Sequence, residues 1–321
     1  KDAPNIKKVN FSNSFIGKLK EEIPVNLKAL LEGVAGKDID EVDLSDNAFG
    51  PSGIPGFDFF LKSTPSIKKL RMINCGLGPM GGAALANCLK EGGLKLTEFY
   101  AGRNRLESTG YTALAEVLKD MGTLVKLEMP QNFVKKEGMI SMMAALSMNT
   151  GLEHVHIHDN WLKEEAIKEF CGFIRSSSSL KSLNISDCDI GGLGVKKIVR
   201  AIGVSKSRES IEEFLCNYNE VERTSTAKFI FNVLRVCPNL KRVSFIGNLI
   251  KTQLKKEFKE EFANTGRTLI LNEETEEQDP DEEEDAEDEE LSDDDEDEED
   301  DEKDTDEAKE LENMFENLHL E

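Results

Sequence analysis

A repeated pattern of apolar residues limits the fold of this 321-residue chain more than any other feature. Each copy has three apolar residues spaced apolar-x-x-apolar-x-apolar, then an Asn or Cys three positions on, then one more apolar residue. One copy consists of Leu124, Leu127, Met129, Asn132 and Val134. The pattern occurs eight times from residue 39 onward, mostly 28 or 29 residues apart, and a weaker copy begins at Ile6. A fixed period of this length is typical of leucine-rich repeats.

Each copy predicts one short strand followed by one helix. The closely spaced apolar residues alternate as on a strand, and the Asn or Cys stands where it can satisfy backbone groups inside the turn. Helical spacing follows, for example at Ala83, Leu85 and Leu89. No unit can bury its apolar face alone, so neighbours must stack. The sequence therefore predicts an α/β leucine-rich repeat solenoid, a horseshoe of about nine repeats with an inner parallel sheet and outer helices, and a last strand at residues 268–271.

The proportion of acidic residues rises sharply after residue 272, which divides the chain into two parts. The whole chain has 40 basic and 63 acidic residues, a net charge of −23, but residues 273–307 hold 27 acids and one base. Such a segment cannot offset its ordering entropy, so we expect an acidic disordered tail over residues 273–309. Residues 1–272 form the predicted repeat domain and 310–321 a short amphipathic segment. The first repeat lacks the polar cap that a solenoid end needs, so we expect one or two N-terminal repeats to be missing from this chain.

Several kinds of site are not indicated by the sequence. Six cysteines are spread singly, which favours reduced core thiols over disulfides or a zinc knuckle. No apolar run could span a membrane, and no signal-peptide pattern is present. His154, His156 and His158 alternate but would need a further ligand to hold zinc. We therefore expect an intracellular protein that is not an enzyme, needs no cofactor or metal, and binds neither nucleic acid nor membrane.

A row of polar residues is predicted along one edge of the sheet. The residue just before each Asn or Cys lies on the loop that leaves a strand, so neighbours in the row are about 5 Å apart. The row consists of Asn13, Asp46, Asn74, Arg103, Gln131, Asp159, Asp187, Tyr218 and Gly247. Rigid polar groups that differ in chemistry suit protein binding, and a plain solvated loop edge is the alternative.

The loops at this edge resemble those of the GTPase-activating proteins of the small GTPase Ran. The resemblance is specific at residues 44–51 (LSDNAFGP) and 101–107 (AGRNRLE), and it is supported by residues 16–24 (IGKLKEEIP) and 74–79 (NCGLGP). It implies an activator that stimulates GTP hydrolysis by Ran in nucleocytoplasmic transport. It also implies a cytoplasmic location, with the nuclear envelope as a further site.

The resemblance also implies roles for particular residues. The family acts without an arginine finger, and a rim asparagine orients the GTPase's own glutamine; Asn74 occupies that place. Lys18 stands where the family has an arginine, and a lysine lacks the planar guanidinium fork. The partner-binding residues implied by the resemblance and the row are Lys18, Lys20, Asp46, Arg103, Arg105, Gln131 and Asp159.

Two other functions fit part of the sequence. An acidic leucine-rich nuclear protein that binds histones or inhibits a phosphatase would share the repeats and the tail, but its repeats are shorter. A ribonuclease-inhibitor-like binder would carry more cysteines and aromatic residues on its concave face. We expect instead a monomer that binds GTP-loaded Ran.

The C-terminal segment carries a separate signal. Its apolar residues match the spacing of a leucine-rich export signal, which would fill the groove of an export receptor. These residues are Leu311, Phe315, Leu318 and Leu320.

Overall fold

The computed structural model describes residues 5–15 and 17–272, in which short strands and helices alternate. The strands are β1 (Lys8–Asn10), β2 (Glu41–Asp43), β3 (Lys69–Arg71), β4 (Glu98–Tyr100), β5 (Lys126–Glu128), β6 (His154–His156), β7 (Ser182–Asn184), β8 (Glu213–Leu215), β9 (Arg242–Ser244) and β10 (Thr268–Ile270). The helices are α1 (Glu22–Glu32), α2 (Asp58–Ser63), α3 (Gly78–Glu91), α4 (Glu107–Met121), α5 (Lys136–Met148), α6 (Glu164–Ser176), α7 (Gly191–Val204), α8 (Thr224–Arg235) and α9 (Thr252–Asn264). Two 3₁₀ turns, Pro51–Gly56 and Lys206–Glu209, complete the elements of this part.

The strands of the described residues form one parallel sheet in chain order from β1 to β10. Their registers align the repeats, so that Leu127 of β5 lies opposite Phe99 of β4 and Val155 of β6. These middle residues are fully buried. The predicted α/β leucine-rich repeat solenoid is confirmed, and so is the last strand, which is β10. The predicted disorder of residues 273–309 and the export-type residues lie outside the described residues.

Apolar spacing explains how the helices pack against the sheet. In α4 the residues Tyr111, Leu114 and Leu118 are buried because they recur at three- and four-residue intervals on one helix face. The helix ends at Gly122, whose φ of 63° lets its N–H donate to the Leu118 carbonyl. Helices α3 to α8 each pack on the next, which extends one core through the repeats. No helix in the described ranges is both long and apolar enough to cross a membrane.

The cysteines lie in this core as predicted. All six are free thiols and all are buried. Burial raises the pKa of the Cys75 and Cys188 thiols to about 12, so both stay protonated at neutral pH. Their Sγ atoms approach the carbonyls of the preceding repeat, at 3.3 Å for Cys75 to Leu44 and 3.5 Å for Cys188 to Ile157. Cys75 and Cys188 therefore replace the asparagine of other repeats without becoming reactive.

Buried asparagines join consecutive repeats through their side-chain amides. The Asn132 Nδ2 donates to the carbonyls of Ala101, Met129 and Pro130, each 3.0–3.1 Å away. Its Oδ1 accepts the backbone N–H of Asn104 at 3.0 Å. The backbone N–H of Asn132 in turn donates to the Oδ1 of Asn160, also at 3.0 Å. We call these repeated contacts the asparagine ladder. It comprises Asn47, Asn104, Asn132, Asn160, Asn219 and Asn248.

Loss of one ladder amide should destabilise the fold. Asn132→Ala leaves one N–H and three carbonyls without this partner in a buried loop, and we expect the free energy of unfolding to fall by roughly 3 kcal/mol. Urea denaturation followed by circular dichroism measures the change. The matched control is Asn87→Ala on the exposed face of α3, which should leave stability nearly unchanged. Equal midpoints for the two variants would refute a structural role for the ladder.

Candidate functional site

The polar row occupies the loop edge where the strands end, as predicted. Each of its nine residues has left-handed backbone, with φ between 51° and 68°. This conformation turns the backbone N–H toward the next repeat: the N–H of Asn74 donates to the Gly102 carbonyl, and that of Arg103 to the Pro130 carbonyl, each at 2.9 Å. A left-handed turn costs a non-glycine residue about 1–2 kcal/mol, so the inter-repeat bonds must offset it. Each strand therefore contributes one side chain to the row, and the hydrogen bonds between repeats fix the position of its backbone.

Asn74 is held by its neighbour in the row. Both Asn74 and Asp46 are exposed, and the Asn74 Nδ2 donates to the Asp46 Oδ1 at 3.0 Å. Within the described residues no donor reaches the Asn74 Oδ1. This amide oxygen is therefore oriented by Asp46 and available to accept a hydrogen bond from another molecule.

The other predicted site residues fall into three groups. Arg103 and Arg105 are exposed and both left-handed, and Arg105 lies two residues beyond the row. Gln131 hydrogen-bonds to Asp159, and burial, followed by the charge of Asp187, raises the pKa of the Asp159 carboxyl. Arg103, Gln131 and Asp159 therefore continue the row from Asn74 along successive repeats, and Arg105 lies just outside it.

Lys18 and Lys20 lie apart from this row. Both are exposed on the loop that leaves β1, in the first described repeat. The Lys20 Nζ is 3.8 Å from the carboxylate of the adjacent Glu21. The structure therefore brings Asp46, Asn74 and the residues that follow them into one line, but it does not bring these two lysines into it.

Charged residues on the concave face form a network that the sequence analysis did not identify. The first residues of strands β1 to β5 alternate in sign, and Glu41 lies 2.8 Å from Lys8 and 3.8 Å from Lys69, which is 3.0 Å from Glu98. The Arg71 guanidinium stacks on Tyr100, 3.7 Å from the ring centre. Alignment of the repeats on their strands reveals this alternation in the sequence. These charges are paired with one another, whereas Arg103 of the row forms no ion pair within the described residues.

The network continues through the histidines. The His156 ring lies between Glu128, 3.4 Å from Nδ1, and Ser182, 2.9 Å from Nε2. Burial lowers the pKa of His154 and of His158, which favours their neutral forms. No group of three or more potential metal ligands occurs within residues 5–15 and 17–272. His156 belongs to a hydrogen-bonded network in this part of the chain, whereas the Nδ1 of His158 is buried without a hydrogen-bond partner among the described residues.

Glu128 is the carboxylate most strongly affected by this network. Burial opposes its charged form, but hydrogen bonds from His156 and Lys126 and their charges outweigh burial and lower its pKa to about 2. The charged form therefore stabilises the fold at pH values above the ordinary pKa of 4.5, and this stabilisation disappears as the pH falls from 4.5 toward 2.

Substitution of Glu128 tests this coupling. Glu128→Gln should lower the free energy of unfolding at pH 7 by about 2–3 kcal/mol, and the difference from the wild type should vanish near pH 2. Urea denaturation at a series of pH values measures both effects. Glu137→Gln, at an exposed position on α5, is the control and should leave the pH dependence unchanged. A difference that persists at pH 2 would mean that the carboxylate charge is not its source.

Comparison with known proteins shows similarity to leucine-rich repeat proteins. A family model described as a leucine-rich repeat matches residues 176–199. The chain is 44% identical over 142 residues to Ran GTPase-activating protein 1 of Xenopus laevis, covering 40% of this chain and 24% of the relative. It is 37% identical over 162 residues to the Ran GTPase-activating protein of Drosophila melanogaster, covering 46% and 27% of the two chains. It is 27% identical over 254 residues to Ran GTPase-activating protein 1 of Saccharomyces cerevisiae, covering 75% and 62%.

The matches span less than two thirds of each of these three relatives. These three relatives, from frog, fly and yeast, nevertheless all bear the name Ran GTPase-activating protein. The chain is a leucine-rich repeat protein that is similar to Ran GTPase-activating proteins over part of their length.

Proposed function

We propose that this chain activates GTP hydrolysis by the small GTPase Ran and that Asn74 orients the GTPase's own catalytic glutamine. The observation that carries the proposal is the Asn74 amide: its backbone is fixed in a left-handed turn and its Nδ2 is held by Asp46 at 3.0 Å. The similarity to curated Ran GTPase-activating proteins supports the identity of the partner. The chain itself binds no nucleotide in this proposal.

Hydrolysis of GTP transfers a phosphoryl group to water, so a partner contributes mainly orientation and electrostatic stabilisation. A partner acting in trans can accelerate the reaction about 10⁵-fold, which corresponds to roughly 7 kcal/mol of barrier. Asn74 carries no charge, so it cannot neutralise the transition state as an arginine would. Its Oδ1 instead accepts a hydrogen bond from the glutamine side-chain amide, which then positions the attacking water. A rigid polar row suits this role because a small displacement of a catalytic group lowers the rate of reaction.

The remaining residues of the site hold the complex together. Arg103 and Arg105 supply guanidinium groups beside Asn74, and Gln131 and Asp159 extend the polar contact along the row. Lys18 and Lys20 meet the GTPase at the first repeat, where a lysine ammonium gives charge without the bidentate geometry of arginine. The chain acts as a monomer in this proposal, without a cofactor.

Kinetics of the variants separate an orienting asparagine from an arginine finger. Asn74→Ala should lower the rate of GTP hydrolysis on Ran at saturating activator by about 10²–10³-fold, because one preorganised polar group is lost. Asp46→Ala should give a smaller loss, because it frees the amide without removing it. Arg103→Ala and Arg105→Ala should weaken Ran binding and leave the saturating rate largely intact. Single-turnover hydrolysis with GTP-loaded Ran measures all four.

The controls address backbone strain and the role of Lys18. Asn74→Gly tolerates the left-handed turn and should lose as much rate as Asn74→Ala. Lys18→Ala should weaken binding, and Lys18→Arg should be neutral or slightly activating. Full activity of Asn74→Ala together with a collapse of the saturating rate in Arg103→Ala would overturn the assignment. Failure of the wild type to stimulate hydrolysis at sub-stoichiometric concentration would overturn the function.

We propose a cytoplasmic location, including the nuclear envelope, that is maintained by export. An activator confined to the cytoplasm would keep Ran-GTP high only in the nucleus. Changing Leu318 and Leu320 to Ala should therefore make a tagged protein accumulate in the nucleus, as seen by fluorescence microscopy. Inhibition of export should move the wild type in the same way. A double variant that stays cytoplasmic while export is active would exclude this signal.

A further inference from the structure

Two large aromatic side chains are exposed next to each other beside the polar row. Phe133 and Trp161 occupy the same position in consecutive repeats and keep 49% and 40% of their surface exposed. Their loops are bonded together, since the Trp161 N–H donates to the carbonyl of Val134 at 3.1 Å. The two rings therefore lie on adjoining loops, each two residues beyond a residue of the row.

Phe133 is held in this place at an energetic cost. Its φ is 55°, in the left-handed region that bulky residues seldom adopt. Such a residue persists only where the surrounding structure fixes it, at a cost of order 1–3 kcal/mol. The repeat imposes this conformation, since Arg105, Asp189 and Glu220 at the equivalent position have φ of 52–58°. What distinguishes Phe133 is that this position carries an aromatic ring, about half of which stays exposed. An apolar ring held outward in this way is suited to binding.

The positive charges around these rings are not neutralised by the fold. Arg103, Arg105 and Lys135 are exposed, and none of them forms an ion pair with a carboxylate of the described residues. On the concave face, by contrast, Lys69 and Lys126 lie within 3.0 Å of a carboxylate. We call Phe133, Trp161, Arg103, Arg105 and Lys135 the aromatic ridge. Its chemistry fits a partner that carries apolar side chains interspersed with carboxylates.

We propose that the aromatic ridge binds the C-terminal segment of this same chain, residues 310–321. That segment, ELENMFENLHLE, has four glutamates and no lysine or arginine. Its residues Leu311, Met314, Phe315 and Leu318 share one face at helical spacing. Apolar side chains of this face pack on Phe133 and Trp161, while the glutamates approach the three basic residues.

The connection is long enough for this contact. Residues 273–309 would extend about 55 Å even at the rise of an α-helix. The ridge lies in the repeats of β4 to β6, four to six strands before β10, a separation of roughly 20–30 Å along the sheet. A tether of this kind gives an effective concentration on the order of 1 mM. Even an intrinsic dissociation constant of about 0.1 mM would then favour the bound form about tenfold.

Such a contact regulates two surfaces at once. The bound segment covers the part of the polar row beside Gln131 and Asp159, so it competes with any protein that binds there. It also hides Leu318, which belongs to the proposed export signal. The contact itself does not depend on the proposed GTPase activation.

The chain contains its own reporter of this contact, because Trp161 is its single tryptophan. In the full chain, Phe315→Ala combined with Leu318→Ala should shift the Trp161 emission maximum to longer wavelength and increase its quenching by acrylamide. The matched control, Asn313→Ala with Asn317→Ala, changes polar residues of the same segment and should behave as the wild type. Addition of a synthetic peptide of residues 308–321 to the Phe315/Leu318 variant should reverse the shift, less effectively at high salt because the charge attraction is screened.

The outcomes distinguish the possible occupants of the ridge. Emission and quenching that are identical in the Phe315/Leu318 variant and the wild type would overturn the proposal and leave an external protein as the partner. A shift that appears only as the wild-type protein is concentrated would mean that a second copy supplies the segment, which also overturns the intramolecular contact. A shift independent of protein concentration, absent in the asparagine control and reversed by the peptide, supports it.

Discussion

The architecture depends on satisfying the buried backbone groups of the loops between strand and helix. A three-residue strand such as β5 pairs few of these groups, so most of the turn needs another partner. The asparagine ladder supplies it: Asn132 donates to three carbonyls and accepts the N–H of Asn104, all within 3.1 Å. Because every such amide bonds to its neighbouring repeat, the ladder fixes the stacking as well as the turn.

This constraint also determines the geometry of the candidate site. The residue before each ladder position, or before the Cys that replaces its asparagine, must enter the left-handed region so that its N–H reaches the next repeat, as Arg103 and Asn74 do. The same left-handed turn directs the side chain away from the core. The hydrogen bond to the next repeat fixes the position of its backbone along the sheet. The polar row therefore presents one side chain at a fixed position per strand. That property suits an activator that works by orientation, because the ordering entropy is already lost in the folded protein.

Charge is distributed differently over the surfaces of the molecule. On the concave face, lysines and glutamates of adjacent strands neutralise one another, as Lys69 does with Glu98 at 3.0 Å. At the rim, Arg103 and Arg105 have no carboxylate partner among the described residues, and the sequence places an acidic tail on the same chain. The ion pairs on the concave face stabilise the sheet and fix the positions of their side chains. Unpaired charges remain available to attract a partner.

The sequence by itself determined the repeat, its strands, its buried cysteines and asparagines, and the membership of the polar row, because a fixed period assigns each position a recurring environment. It also singled out Asn74 and Arg103 through resemblance. Only the tertiary structure decided what touches across repeats: the Asp46–Asn74 hydrogen bond, the stacking of Arg71 on Tyr100, and the hydrogen bond from the Trp161 N–H to the Val134 carbonyl. These contacts join residues about 28 positions apart, and they depend on side-chain direction and strand register. A period gives the spacing of such residues along the chain, but distances and orientations in space follow from how the repeats stack.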